Sequence, residues 1–265
     1  MQSDQFEHGQ WLKGRIYERR CDLSPSGKLF AYFAIKGKSQ FGTWTAICKP
    51  PFFTALALWP KGDSWGGGAL FKSENEIGLN HGSDATVLAE GFRLPKHMNV
   101  KPLHEYAGRG EDNPIYYMRL LRDGWQLTQQ GHRAKASASV NTVYPCSYPY
   151  NPPLVYSKQF AFTPEHTYHL NMVMHGLHQK DGPWHVLTYN IQNEEGKEIA
   201  SLGLIDWADW DKNGDLVFAR EGKIFRLRRL ESNPFIAPLD TAIELIDLAP
   251  LQFAEKAPEP WATRW

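Results

Sequence analysis

The chain has no run of apolar residues approaching the roughly 18 that span a bilayer, which excludes a membrane-spanning helix. It also lacks net charge: 29 basic residues balance 29 acidic ones, so no global field draws the protein to nucleic acid or anionic lipid. Cysteine is scarce. Cys21, Cys48 and Cys146 are an odd number without a CxxC pair, which argues against a disulfide framework and a cysteine zinc centre and for buried free thiols in a reducing compartment. The opening segment "MQSDQFEHGQWLKG" has neither the basic start nor the apolar run of an export signal. These absences point to a cytoplasmic protein with no nucleic-acid and no membrane partner.

Long helical periodicity is also nearly missing. What the chain has instead is 13% aromatics and short apolar runs bounded by turn residues, the pattern of strands. Such runs are "KLFAYFAI" (28 to 35), "FFTALALW" (52 to 59), "PIYYMRLL" (114 to 121), "HLNMVMHGL" (169 to 177), "WHVLTYNI" (184 to 191), "DLVFAR" (215 to 220) and "KIFRLRR" (223 to 229). The best helix candidate is "LDTAIELIDLAP", where Asp240 or Thr241 could cap and Pro250 would stop it.

One unit recurs. Placing "CDLSPSGKLFAY" over "ADWDKNGDLVFA" aligns Asp22 with Asp209, Gly27 with Gly214 and Leu29 with Leu216 at a constant offset. "KGRIYER" and "EGKIFRL" also match, Gly14, Ile16 and Tyr17 resembling Gly222, Ile224 and Phe225, at a different offset because one unit's last strand precedes the next unit's turn. A strand, an acidic Gly turn and a second strand cannot bury their faces alone, so the unit needs neighbouring copies. "DLSPSGKLFAYFA" resembles the D-x-S-P-D-G-K-x-x-A-Y repeats of Tol-type and related bacterial β-propellers, with Ser26 where those repeats usually carry Asp. The resemblance covers about 45 residues and implies architecture but no particular chemistry. The expected fold is all-β: a single β-propeller domain over residues 1–265. At about 40 to 50 residues per blade it would have about five blades, ending in a short C-terminal helix or extended tail. Ring closure should pair a strand near "GRIYERR" with one from the last repeat.

"DWADWDKNGD" sets Asp209, Asp211 and Asn213 two apart before Gly214, the start of an EF-type calcium loop. The position that should carry the bidentate Glu is Arg220, and the flanks read as strands. The pattern therefore predicts a tight turn, with Asp and Asn accepting backbone amide protons and Gly214 at positive φ. Four histidines come in pairs, His166 with His169 and His175 with His178. Residues three apart on a strand face opposite ways, so no metal centre is expected.

No motif names a reaction, and no catalytic residue and no cofactor is expected. Two segments stand out as contact candidates. "WPKGDSWGGGALF" places Trp65 before Gly66, Gly67 and Gly68, where consecutive glycines suggest a bulge or a close backbone approach, or else a surface open to a ligand. "TVYPCSYPYNPPLVY" combines stiff proline-rich chain with Tyr144, Tyr148 and Tyr150, a composition suited to recognising another protein. The leading expectation is a protein-binding or scaffolding propeller, the partner being another protein. The alternative is a hydrolase or carbohydrate-binding propeller with an axial acidic site drawn from Asp22, Asp84, Glu165 and Asp209.

Overall fold

The computed structural model describes residues 4–82, 85–134, 143–232 and 236–265. Strands dominate, as the composition indicates. Contacts divide the chain into two compact units: a first of residues 5–123 with 252–265, and a second of residues 1–4 with 124–251. Four sheets are present among the described residues. No helix there is long and apolar enough to cross a membrane.

The first unit contains β1 (Arg15–Ile16), β2 (Asp22–Leu23), β3 (Phe30–Ile35), β4 (Thr43–Cys48), β5 (Ala57–Pro60), β6 (Ala69–Phe71), β7 (Glu76–Leu79), β8 (Asn99–Pro102) and the helix α1 (Asn113–Arg122). One sheet runs β1-β3-β4-β5 with β2 beside β3, and a second runs β6-β7-β8. Ala31, Ile47, Ala57 and Trp59 of the first sheet pack on Ala69, Phe71, Ile77 and Leu79 of the second. The opposite face of the first sheet buries Tyr32, Ala34, Trp44, Ala46, Cys48 and Leu58. With both faces covered, β4 is buried along its whole length, which explains why "TWTAIC" lacks polar alternation. The tail returns to this unit: Lys49 Nζ donates to the Trp261 and Arg264 carbonyls (3.2 and 2.7 Å) and Trp265 Nε1 to the Arg93 carbonyl (2.8 Å).

"PIYYMRLL" is a helix, not the strand its apolar run suggested. Pro114 stands in its first turn, Ile115 and Leu120 are buried, and Gly124 follows at φ +89° as the stop. An apolar run of this length fits either a strand or a buried helix face, and here the packing of Ile115 against Leu70 and Leu103 decides.

The second unit contains β9 (Gln126–Gln129), β10 (Tyr148–Thr163), β11 (His166–Leu177), β12 (His185–Gln192), β13 (Glu198–Leu204), β14 (Trp207–Trp210), β15 (Leu216–Arg220), β16 (Lys223–Leu227) and β17 (Ile243–Asp247). Its sheets are antiparallel, in the orders β13-β12-β11-β10-β9 and β14-β15-β16-β17. Leu170, Met172 and Met174 of β11, with Leu187, Tyr189 and Ile191 of β12, form a buried face. Phe160 and Phe162 meet Trp210 at ring-centroid distances of 5.9 and 5.7 Å, joining the two sheets.

The expected C-terminal helix at "LDTAIELIDLAP" is absent. Leu239–Thr241 makes one 3-10 turn and the following residues form β17. Edge pairing overrides helix propensity here, with Lys223 bridging to Glu244 and Asp247 (2.9 and 3.3 Å) across the strands. The closure pairing also differs: β1 pairs with β3, while β16 has β15 and β17 on its two edges. β16 is thus paired on both edges, and β1 is the edge strand of its own sheet.

Candidate functional site

Both repeats fold as hairpins with a Gly turn, but their registers differ by one residue: Leu23 pairs with Phe30, whereas Trp210 pairs with Leu216. β2 pairs with β3 around Gly27 (φ +71°) and β14 with β15 around Gly214 (φ +85°). In the second hairpin Asp211 Oδ1 accepts the Asn213 and Asp215 amides (2.8 and 3.1 Å), so it closes the turn. Its Oδ2 binds Arg226, 2.7 Å away, and Asp215 Oδ2 binds the same guanidinium at 2.8 Å. Burial raises the Asp211 carboxyl, but the hydrogen bonds from Arg226 and the two amides outweigh it and hold the group below the usual carboxylate range. The oxygens an ion would need are thus occupied by a buried arginine, and the segment is a turn.

Two of the four acids considered for an axial site are held by cations. Asp22 is bidentate with Arg122 (2.6 and 2.9 Å) and accepts the Phe71 amide. Asp209 pairs with Lys158 at 2.7 Å. Glu165 is exposed in the turn between β10 and β11, and Asp84 lies outside the described residues. Among the described residues no three His, Cys, Asp or Glu side chains converge as metal ligands.

Gly66, Gly67 and Gly68 all have positive φ (67°, 81° and 86°). Their amides donate to the Gly110 carbonyl, the Asn80 carbonyl and Thr45 Oγ1 (2.6, 2.7 and 2.8 Å). A side chain at Gly67 would strike the Phe33 ring. Arg20, itself buried, donates to the Ser64 and Gly66 carbonyls at 2.7 Å each. The glycines serve close packing, with no amide left to cradle a ligand. Trp65 beside them is exposed, at 61%.

The proline–tyrosine segment leads to a different arrangement. Tyr148, 38% exposed, opens β10 and pairs with Leu177, which also pairs with His185. That register brings three segments together: the His178 ring lies 6.4 Å from Tyr148 and 5.4 Å from Trp184, itself 52% exposed. The Arg133 guanidinium lies 4.3 Å from the Tyr148 ring centroid, within cation–π range. The Ser147 hydroxyl and His178 Nδ1 share a hydrogen bond of 2.8 Å that fixes the imidazole. The Tyr144 ring meets that of His175 at a centroid distance of 4.6 Å, tilted by 45°. Tyr150 forms an isolated antiparallel backbone bridge with Arg133. The result is an aromatic rim of Tyr144, Tyr148, His178 and Trp184.

Below the rim, the β10–β11–β12 face opposite the buried one is polar. Asn171 Nδ2 donates to Asn190 Oδ1 at 2.9 Å, and Thr188 Oγ1 shares a hydrogen bond with His175 Nε2 at 2.8 Å. Burial lowers the His175 pKa and favours the neutral ring. Ser157 Oγ and His169 Nδ1 are 3.5 Å apart, and among the described residues no carboxylate orients that imidazole as a hydrolytic triad requires. Part of this face forms a cleft of about 360 Å³.

Compared with protein-family models, curated proteins and solved structures, the chain matches none. The candidate contact residues fall into both units: Trp65 to Gly68 in the first, Tyr144, Tyr148 and Tyr150 in the second. Sequence reading gave Trp184 and Arg133 no contact role and weighed His178 only as half of a histidine pair; all three come to Tyr148 only in the folded sheet. It also missed the polar face, although His169, Asn171 and His175 alternate with Leu170, Met172 and Met174, and Thr188, Asn190 and Gln192 repeat that period.

Proposed function

We propose that this chain is a protein-binding or scaffolding module of β-propeller type, and that its contact surface is the aromatic rim of the second unit. The observation that carries the reading is the exposed cluster of Tyr148, His178 and Trp184 with Arg133 stacked on it. Trp, Tyr and Arg are the side chains that dominate protein interfaces: Trp and Tyr cover a large area at small entropic cost, and Arg adds a planar cation with several donors. Tyr148 stands on a paired strand, and the His178 amide donates to the Trp184 carbonyl (2.6 Å) where the β11–β12 hairpin closes, so these rings are positioned before a partner arrives. The propeller part of the reading rests on the two Gly-turn hairpins and on β14 to β17 lying in chain order in one sheet. An experimental structure whose sheets share no common axis would remove that part and leave the rim.

The acidic-site alternative is disfavoured because Asp22 and Asp209 are each held by a cation. The test is capture of partners from an extract of the source organism on the immobilised protein. Tyr148→Ala and Trp184→Ala should each weaken capture by about 2 kcal/mol, roughly 30-fold in affinity, while Trp65→Ala leaves it unchanged. Capture that survives both rim substitutions and fails with Trp65→Ala would move the contact surface to the first unit.

A further inference from the structure

The polar cleft of the second unit is a separate feature from the rim, and its chemistry is specific. Its sides come from Thr128, Ser157, His169, Asn171, Asn190 and Gln192. Asn171 is only 7% exposed, yet it sits on the open face of a sheet and not within a packed layer. Its Nδ2 is used by Asn190 Oδ1, and no hydrogen bond within the described residues reaches its Oδ1. Asn190 Nδ2 likewise makes none. An orphan acceptor and an orphan donor therefore stand side by side, on neighbouring strands in direct register. Neither atom is among the buried side-chain nitrogens and oxygens left without a partner, so both are open to the water of the cleft, where a ligand that donates to the one and accepts from the other can take the water's place.

We propose that this cleft binds a small neutral polyhydroxylated ligand, a short carbohydrate. A hydroxyl both donates and accepts, and two adjacent hydroxyls on a ring can meet the Asn171 acceptor and the Asn190 donor together. An ionic ligand does not suit the cleft, because none of its residues is a Lys or Arg and its single acid, Glu194, faces His166 at 3.4 Å. A fully apolar ligand fails for the opposite reason, since it would seal the orphan amide groups away from water. Val155 and Val173 pair directly across the strands within the same cleft and supply an apolar strip for the C–H face of a sugar ring. The volume, about 360 Å³, lies in the range of small-molecule sites.

The test is a screen of the whole chain against an array of neutral mono- and oligosaccharides, followed by titration of the best sugar into ¹⁵N-labelled protein. The expected result is saturable binding that shifts the side-chain amide signals of Asn171, Asn190 and Gln192 and leaves the Trp184 indole signal in place. Asn190→Ala, at a half-buried position, should weaken binding at least tenfold with the fold intact by circular dichroism. Should that variant fail to fold, the amide shifts in the unaltered protein still decide. No saturable sugar, or shifts produced only by an acidic sugar or by a neutral acetylated and amidated peptide, would overturn the proposal. Neither outcome bears on protein capture at the rim.

Discussion

Replacing Arg226 by Met tests whether the acidic turn exists to hold a cation of the chain itself. The side chain is 2% exposed and lies 2.7 Å from Asp211, 2.8 Å from Asp215 and 3.1 Å from Asp4. Met keeps much of the volume and removes the charge, leaving Asp211 and Asp215 near one another with only the largely exposed Arg228 beside Asp215. Removing one partner of a buried ion pair costs about 3–5 kcal/mol, mostly the burden of the charge left behind. With a urea slope of about 2 kcal/mol/M, the unfolding midpoint should fall by roughly 1.5–2.5 M. Arg228→Ala, which removes a 54% exposed partner of the same Asp215, should cost under about 1 kcal/mol. Urea titration followed by circular dichroism reads both. Equal small losses in the two variants would refute the structural role of Arg226, and a midpoint that rises with millimolar calcium in the unaltered protein would restore the ion-site reading. The Asp211 pKa is depressed on folding, so this stabilisation is present above the unfolded carboxylate value near 4 and is lost as pH falls through the folded one.

His81 gives a second pH limb. Its Nδ1 donates to the Ala85 carbonyl and its Nε2 faces Thr45 Oγ1, and burial lowers its pKa to about 4. Because the folded value lies below the unfolded one near 6.5, the unfolded chain binds the extra proton between them. Stability is therefore full above about pH 6.5 and drops as pH falls towards 4, by on the order of 3 kcal/mol. The urea midpoint measured across that interval should show the drop, and His81→Gln should flatten it; an unchanged slope in the variant would place the titration elsewhere. The thiols differ in reach: Cys21 and Cys48 are buried, and burial pushes Cys21 up to about 12, whereas Cys146 is partly exposed. A disulfide reagent at pH 8 should label Cys146 alone in the native protein and all three after denaturation, and native labelling of Cys21 would contradict the packing around it.

The sequence made the hairpin at 207–227 readable because every local signal there agrees: alternating apolar residues, an Asp that closes the turn and a Gly at positive φ. It made the triple glycine readable as a close approach for the same reason. "PIYYMRLL" was ambiguous because eight residues show too few periods to separate a helix from a strand, although Pro114 and Gly124 mark the two ends of a helix. "AIELID" favours a helix by propensity, and only the free edge of β16 makes it a strand. Of the rim, Tyr144 and Tyr148 were legible in the proline–tyrosine run, but their association with Arg133, His178 and Trp184 was not, since these belong to segments that meet Tyr148 only in the folded sheet. The polar face was legible in the alternation of β11, but a search for histidine pairs three apart looks across the sheet and not along one face of it.

Amide hydrogen exchange of the protein with and without a captured partner tests the central claim most directly. Recognition at the rim predicts slowed exchange over residues 144–150 and 178–186, with residues 61–68 unchanged. Protection confined to 61–68, or none in either segment while the partner stays bound, would contradict it.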